Sequence, residues 1–396
     1  MARPADISGG TEEPHPERRR ILFLIDEMEA LTAGGTERQV LQMIRLLEGT
    51  EFEPELCLLR GTKWLDEAQA HCPVYHADVP GLLKYSGLRE LGRLLGHMRR
   101  RNYAIVQTFF VEANLIGPVL ARLAGVKVII GSRRNSNYWM SRGYAAMQRV
   151  TNRWATRLQA NCEAVRKVVA GQEAVSPAKI DVLYNSLDTD RFRRNPGDRG
   201  RIRALIGAQA DEVVVTNVSA LRHPKGMDLF VRAGVAVLNS APKARLLVVG
   251  DGPQRASLEA MVPSGLAARV YFAGAQEEVA PWLSASDVAV LSSESEGLSN
   301  SILEYMAAGL PVIATDVGGN AEALGATGIL VPSGDDAQLA GAVLRCVNDR
   351  DLRETLGRAA TQRVEQTFAI SVVRSSMLAY YRDLLRAGSA SAARAG

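Results

Sequence analysis

"SSESEGLSNSILEYMAAGLPVIATDVGGNAE", residues 292–322, holds the repeating unit of the whole chain. The apolar run "DVAVL" (287–291) leads into it, and a polar, glycine-bearing loop follows. Ile302, Leu303, Met306, Ala307 and Leu310 then recur at helical spacing, with Ser299 or Asn300 placed to cap the helix. "PVIATD" (311–316) is a second apolar strand. Continuously apolar strands joined through a helix predict a parallel sheet covered on both faces. Glu296 lies in the loop, and Glu304, with seven residues between the two, lies inside the helix on the side away from its apolar face. Open backbone N–H groups of a helix start separate the two acids.

Working outward, the same alternation fills the chain. Before this unit come the strands "RILFLID", "ELCLLR", "VYHADV", "YAIVQTF", "VKVIIGS", "TRLQANC" and "IDVLYNS", with amphipathic helices between most of them. The pattern restarts at "EVVVTNVS" (212–219) and continues through "ARLLVVGDGP", "RVYFAGA", "DVAVLSS", "PVIATD" and "GILVPS". Two such runs predict an α/β chain of two doubly wound, Rossmann-like domains. The charged, Gly- and Pro-bearing stretch 185–200 separates them. The expected division is a disordered leader at 1–18, an N-terminal domain at 19–195, a C-terminal domain at 196–370, a last helix at 371–387, and a disordered tail at 388–396. In this architecture ligands bind at the carboxyl ends of the strands, here in a cleft between the domains.

Bulk properties exclude several classes. Of 396 residues, 47% are apolar, enough for sizeable cores. The four cysteines form no CxxC, and the five histidines form no HxxxH or HExxH pair, so a zinc site is not expected. No apolar run reaches the length of a membrane span, and the polar N-terminus lacks an apolar signal segment, so a cytoplasmic location is expected. The net charge of +4 hides an asymmetry: residues 84–167 hold 16 Lys/Arg against 3 Glu. Such a block suits a polyanion or an anionic membrane surface, and equally an ordinary solvated face. No aromatic-interleaved or helix-turn-helix pattern accompanies it, so no nucleic-acid partner is expected.

Three further motifs bear on chemistry. In "RHPKG" (222–226), Arg222 and Lys225 sit between a strand and a helix, where two cations can neutralise a diphosphate. In "AGGTERQ", Gly34 and Gly35 precede a helix that Thr36 can cap, and paired glycines let backbone approach a ligand. "VVGDGP" lacks the third glycine of a dinucleotide fingerprint and is better read as a strand-end turn. "DTD" (188–190) lies in the interdomain connector, where a metal role is not favoured. The acid, helix start and second acid of 296–304 could hold sugar hydroxyls, a phosphate and ribose hydroxyls in turn, although two solvated glutamates would show the same spacing.

Taken together, these motifs resemble the retaining glycosyltransferases of the GT-B fold, family four of that classification. The resemblance rests on "ESEGLSNSILEYMAAGLPVIATDVGGNAE" (294–322), which matches the family's E-x7-E, and on "RHPKG", "VGDGP", "VLYNSLDTDRF", "GGTE" and the closing "YYRDLL", in the family's order over about residues 20–387. It implies that Arg222 and Lys225 hold a donor diphosphate, that Glu304 bonds the ribose, and that Glu296 contacts the donor sugar near the reacting carbon. It further implies that backbone N–H groups of Gly297, Leu298, Ser299 and Asn300 meet sugar and phosphate, and that Gly34 and Gly35 let the N-terminal domain close over the diphosphate and acceptor. The last helix would cross back onto the N-terminal domain. No metal or other cofactor is implied, since Arg and Lys take a metal's place.

Many family members carry a histidine facing the donor sugar; here "GSRRNSNYW" (131–139) stands instead, making Arg133, Arg134 and Asn135 candidates for acceptor or donor-sugar contact. Some members acting on lipid-linked saccharides are similar at this point. The expected activity is transfer of a hexose or N-acetylhexosamine from a nucleotide sugar, UDP before GDP, to a lipid-linked or saccharide acceptor in cell-surface polysaccharide assembly. An anionic membrane at the inner face is the expected peripheral partner. The alternatives are a nucleotide-sugar epimerase or hydrolase of the same fold, and a non-catalytic nucleotide-sugar-binding protein.

Overall fold

The computed structural model describes residues 18–28, 34–61, 65, 67–81, 84–135 and 141–395, the side chains of residues 142 and 389–395 excepted. The expected leader lies outside the described residues apart from Arg18, which donates to Glu53.

The first domain alternates strand and helix without exception. It runs β1 (Arg19–Ile25), α1 (Gly35–Leu46), β2 (Phe52–Leu58), α2 (Glu67–Ala70), β3 (Val74–His76), α3 (Tyr85–Arg101) and β4 (Ile105–Thr108). It continues α4 (Val111–Leu123), β5 (Val128–Arg133), α5 (Arg142–Thr151), β6 (Arg157–Ala160), α6 (Glu163–Gln172) and β7 (Ile180–Val182). The strands form one parallel sheet in the order β3-β2-β1-β4-β5-β6-β7. Alternate residues of β1 serve opposite faces: Ile21, Phe23 and Ile25 join one apolar layer, and Leu22 and Leu24 the other.

The second domain opens with α7 (Pro196–Leu205), β8 (Val213–Val218), α8 (Met227–Ser240), β9 (Ala244–Val249), α9 (Arg255–Ala260) and β10 (Val270–Phe272). Then come α10 (Ala280–Ala285), β11 (Val288–Leu291), α11 (Asn300–Ala307), β12 (Val312–Thr315), α12 (Asn320–Leu324) and β13 (Ile329–Val331). Its sheet is also parallel, in the order β10-β9-β8-β11-β12-β13. Strand order reverses between β1 and β4 in one sheet and between β8 and β11 in the other, so each sheet opens a crevice at its carboxyl edge.

The chain closes with α13 (Asp336–Asn348), α14 (Arg350–Thr367) and α15 (Ile370–Ala395). Two chain segments cross between the domains side by side: Leu187 N–H donates to Phe368 O at 2.9 Å, and Ile370 N–H to Leu187 O at 3.1 Å. Past that point α15 returns to the first domain, where Val373, Met377 and Tyr381 join its core. The expected disordered tail is a correction: 388–395 continue α15. The stretch is rich in alanine, the best helix former, and lacks proline.

Candidate active site

The two carboxyl edges face each other, and the site is built where they meet. In the second domain the "RHPKG" loop follows β8. Gly226 has φ +59°, and a Cβ there would fall 2.0 Å from the carbonyl oxygen of Ser292. Glycine alone lets this loop lie on the end of β11. The contact sets Lys225 Nζ 2.7 Å from Glu296 Oε1, which also accepts from Ser293 Oγ at 2.7 Å. Arg222, exposed on the same wall, is the second cation of the loop.

Helix α11 is pinned by its own first turns. The Tyr305 hydroxyl accepts the Val218 N–H at 2.7 Å, and Ser301 Oγ donates to Val218 O at 3.0 Å. Ser299 is the N-cap residue, but its side chain makes no capping bond. Asn300 turns across the cleft instead. Its Nδ2 donates to Gly35 O at 3.3 Å, and its Oδ1 accepts from Asn185 Nδ2 at 2.7 Å. Opposite it, α1 starts at Gly35 with Gly34 as its N-cap, so the expected capping by Thr36 is corrected. The starts of α1 and α11 therefore face one cleft from its two sides, and neither is capped by its N-cap side chain.

Two hollows adjoin at Asn300. One, of about 200 Å³, is lined by Arg134, Asn135, Asn161, Arg222, Lys225 and Glu296, with Gly35, Gly297 and Leu298. The other, of about 110 Å³, is lined by Arg38, Gln39, Arg191, Glu277 and Glu304. Burial pushes the Glu304 carboxyl up to about 7, against the pull of Arg38 and Arg191. In the larger hollow Arg134 bonds Asn185 Oδ1, and burial pushes its guanidinium down to about 10. No carboxylate of the described residues pairs with it.

Of the sequence candidates, Glu296, Arg222, Lys225, Gly297, Leu298, Asn300, Gly35, Arg134 and Asn135 come together in the larger hollow, and Glu304 lines its neighbour. Ser299 is buried behind the helix start, and Gly34 stands at the N-cap of α1. Arg133 is a correction. It is 3% exposed and locked to Glu173 at 2.7 Å, with Gln148 and Asn152 accepting from its Nη2. Consecutive residues leave a strand on opposite sides, so only one arginine of the pair can reach the cleft.

Three contributors were given no role in the sequence reading. Asn161, directly after β6, donates to Arg134 O at 3.0 Å, and its Oδ1 is buried with no partner among the described residues. Asn185 ties Leu298 O, at 3.2 Å, to the Asn300 side chain. Glu322 accepts from Glu163 N–H at 2.7 Å and from the Tyr184 hydroxyl at 2.8 Å, clamping one domain on the other. Asn161 stands at a strand end and Asn185 shortly after one, and that position was the available signal.

Two other features are not part of the site. A further hollow, about 910 Å³, lies at the amino ends of β8 and β11, and charges on its walls pair with one another, as in Arg199–Asp287 at 2.8 Å. Asp190 of "DTD" pairs with Arg193 at 3.0 Å, and no group of three or more His, Cys, Asp or Glu among the described residues is placed to hold a metal.

With this geometry in hand, the chain can be set beside known proteins. Residues 212–349 match the family "Glycosyl transferases group 1", and residues 34–186 match "Glycosyl transferase 4-like domain". The chain is 32% identical to a 2-deoxystreptamine glucosyltransferase of Streptomyces kanamyceticus, covering 69% of this chain and 75% of that one. It is 29% identical to the lipopolysaccharide core biosynthesis mannosyltransferase LpsB of Rhizobium meliloti, covering 61% and 72%. Its fold matches the crystal structure of Anabaena HepE in complex with UDP, with a TM-score of 0.82 at 21% identity over 92% of this chain and 100% of that one. The chain therefore belongs to the group 1 and 4-like glycosyltransferases, and its two facing Rossmann-like domains are the GT-B fold of that family.

Proposed function

We propose that this glycosyltransferase retains anomeric configuration and moves a hexose or N-acetylhexosamine from a UDP-sugar to a lipid-linked or saccharide acceptor. The observation that carries this reading is the two-lobed cleft. Glu304 lines the smaller lobe, Glu296 the larger, and Arg222 and Lys225 stand at the carboxyl end of β8 beside them. A nucleoside would fill the smaller lobe and donate its ribose hydroxyls to Glu304. Its diphosphate would meet Arg222, Lys225 and the N-terminus of α11. The sugar would then lie against Glu296.

The chemistry follows from where charge develops. The bond from the anomeric carbon to the diphosphate oxygen breaks, and negative charge grows on the leaving phosphate. Lys225 and Arg222 act on that charge more strongly in the transition state than in the ground state. The bound diphosphate would compete with Glu296 for Lys225, releasing the carboxylate to face the positive ring carbon. The acceptor hydroxyl attacks from the face the phosphate leaves, and its proton passes to the departing phosphate oxygen. In this scheme Glu296 is an electrostatic and positioning group.

UDP is favoured because HepE is described in complex with UDP, with UDP and glucose, and with UDP-glucose. LpsB, named for lipopolysaccharide core biosynthesis, supports a role in cell-surface polysaccharide assembly. The test is a thermal-shift panel of UDP-, GDP-, ADP- and dTDP-sugars, followed by transfer assays with the anomeric configuration of product read by NMR. A donor at a hundred times its dissociation constant should stabilise the chain by about 2.7 kcal/mol. No shift with any of the four would overturn the reading. UDP release at the same rate with or without acceptor would make the chain a hydrolase or epimerase.

A further inference from the structure

Helix α5 is amphipathic the wrong way round. Its inward face is polar: Gln148 and Asn152 are 2% and 3% exposed and bond the buried Arg133–Glu173 pair. Its outward face carries Tyr144, Met147 and Val150 at 42%, 52% and 47% exposure, and Trp154 just past the helix end is 39% exposed. The spacings of three, three and four residues align them in one stripe along the helix. The inward polar face is explained by the buried ion pair, which needs hydrogen-bond partners. Among the described residues nothing covers the outward apolar one, and contiguous exposed apolar side chains mark a docking surface.

The charge around the stripe selects its partner. Arg149 and Arg153 are exposed beside it, and the chain carries no acidic residue between Glu112 and Glu163. The Arg149 guanidinium is tethered to Gln172 O at 3.0 Å. A two-fold contact with a second copy of the chain would bury the stripe by bringing these like charges together, because it sets a patch against itself. Tyr and Trp sit at lipid headgroup level, Met and Val can enter the acyl boundary, and arginine meets anionic headgroups. No helix among the described residues is long and apolar enough to cross a membrane, so any lipid contact made here would be interfacial.

We propose that the Tyr144–Met147–Val150–Trp154 face of α5, flanked by Arg149 and Arg153, docks the protein on an anionic lipid bilayer. The cleft is close at hand. Strand β5 ends at Arg133, the next residue lines the larger hollow, and α5 begins at Arg142. Asn135, which lines the hollow, and Arg142, the first residue of α5, are seven residues apart in the chain. The surface rests on the proposed function only for its purpose, which is to bring a lipid-borne acceptor to the cleft.

The test is co-sedimentation of the full chain with vesicles of phosphatidylglycerol and phosphatidylcholine, against phosphatidylcholine alone. Binding should require the anionic lipid, weaken with added salt, and fall at least about tenfold in Met147→Asp/Val150→Asp, where two exposed side chains are replaced. UDP-induced thermal shift, read on the same samples, reports folding and the donor site separately from docking. Absence of vesicle binding in a chain that still responds to UDP overturns the docking face and leaves the proposed function standing. So does binding that the double variant retains. A dimer in sedimentation that the variant dissociates, without vesicle binding, would assign the stripe to a second copy instead.

Discussion

Glu296 and Glu304 share a residue type and a motif but not an environment. Glu296 is held in place by Lys225 and Ser293, whereas Glu304 lies in a burial that favours its neutral form. Its raised value in the folded chain means that the native state binds the extra proton between the ordinary carboxylate range and about 7. The unliganded protein therefore loses stability as pH rises through that window, by on the order of 1–3 kcal/mol. Glu304→Gln should flatten this dependence in melting scans from about pH 5 to about pH 8, whereas an unchanged slope would place the titration elsewhere. UDP affinity should rise with pH over the same window in the wild type, since ribose hydroxyls donate to a carboxylate. Arg133 makes the opposite case. Arg133→Ala would strand Glu173 as a buried unpaired charge and cost about 3–5 kcal/mol in denaturant unfolding, with UDP affinity of the folded fraction unchanged. A selective loss of UDP binding would return Arg133 to the site.

At the scale of elements, close backbone approach sets the site. Gly297 lets the loop between β11 and α11 touch the end of β5, since a Cβ there would lie 2.2 Å from Arg134 O. Gly297→Ala should push the two domains apart. The expected result is transfer reduced at least about tenfold, with the melting temperature nearly kept. A variant with wild-type turnover would show that closure at this contact is not needed. The strands and helices themselves were legible, because apolar spacing reports burial. The helix starts were less so. Thr36, Ser299 and Asn300 are all good capping types, and yet α1 is N-capped by Gly34, Ser299 makes no capping bond, and Asn300 bridges the domains. Capping propensity is local, and here a partner on the other domain outcompetes it.

At the scale of the whole molecule, one apolar cluster runs through both domains, joining Leu158, Cys162 and Val165 to Leu298, Ile302 and Leu324. The return of α15 adds a polar lock: the Tyr381 hydroxyl, fully buried, donates to Gln107 Oε1 at 2.6 Å within the first sheet. Tyr381→Phe leaves that oxygen without this donor, so unfolding in urea should come about 1–3 kcal/mol earlier with UDP affinity retained. No change in stability would mean that another donor replaces the hydroxyl.

Much was decided locally. The strand–loop–helix–strand unit around 287–316, repeated along the chain, specified two parallel sheets, because periodicity encodes which faces are buried. The order of "GGTE", "RHPKG" and the paired glutamates pointed to a cleft between the domains, because ligands lie at strand ends. Only tertiary structure could choose between Arg133 and Arg134, assign Asn300 to the opposite domain, and turn α5 inside out. Each of those outcomes depends on groups far apart in the chain. A buried ion pair, a carbonyl across a cleft or an uncovered helix face has no signature in the spacing of neighbouring residues.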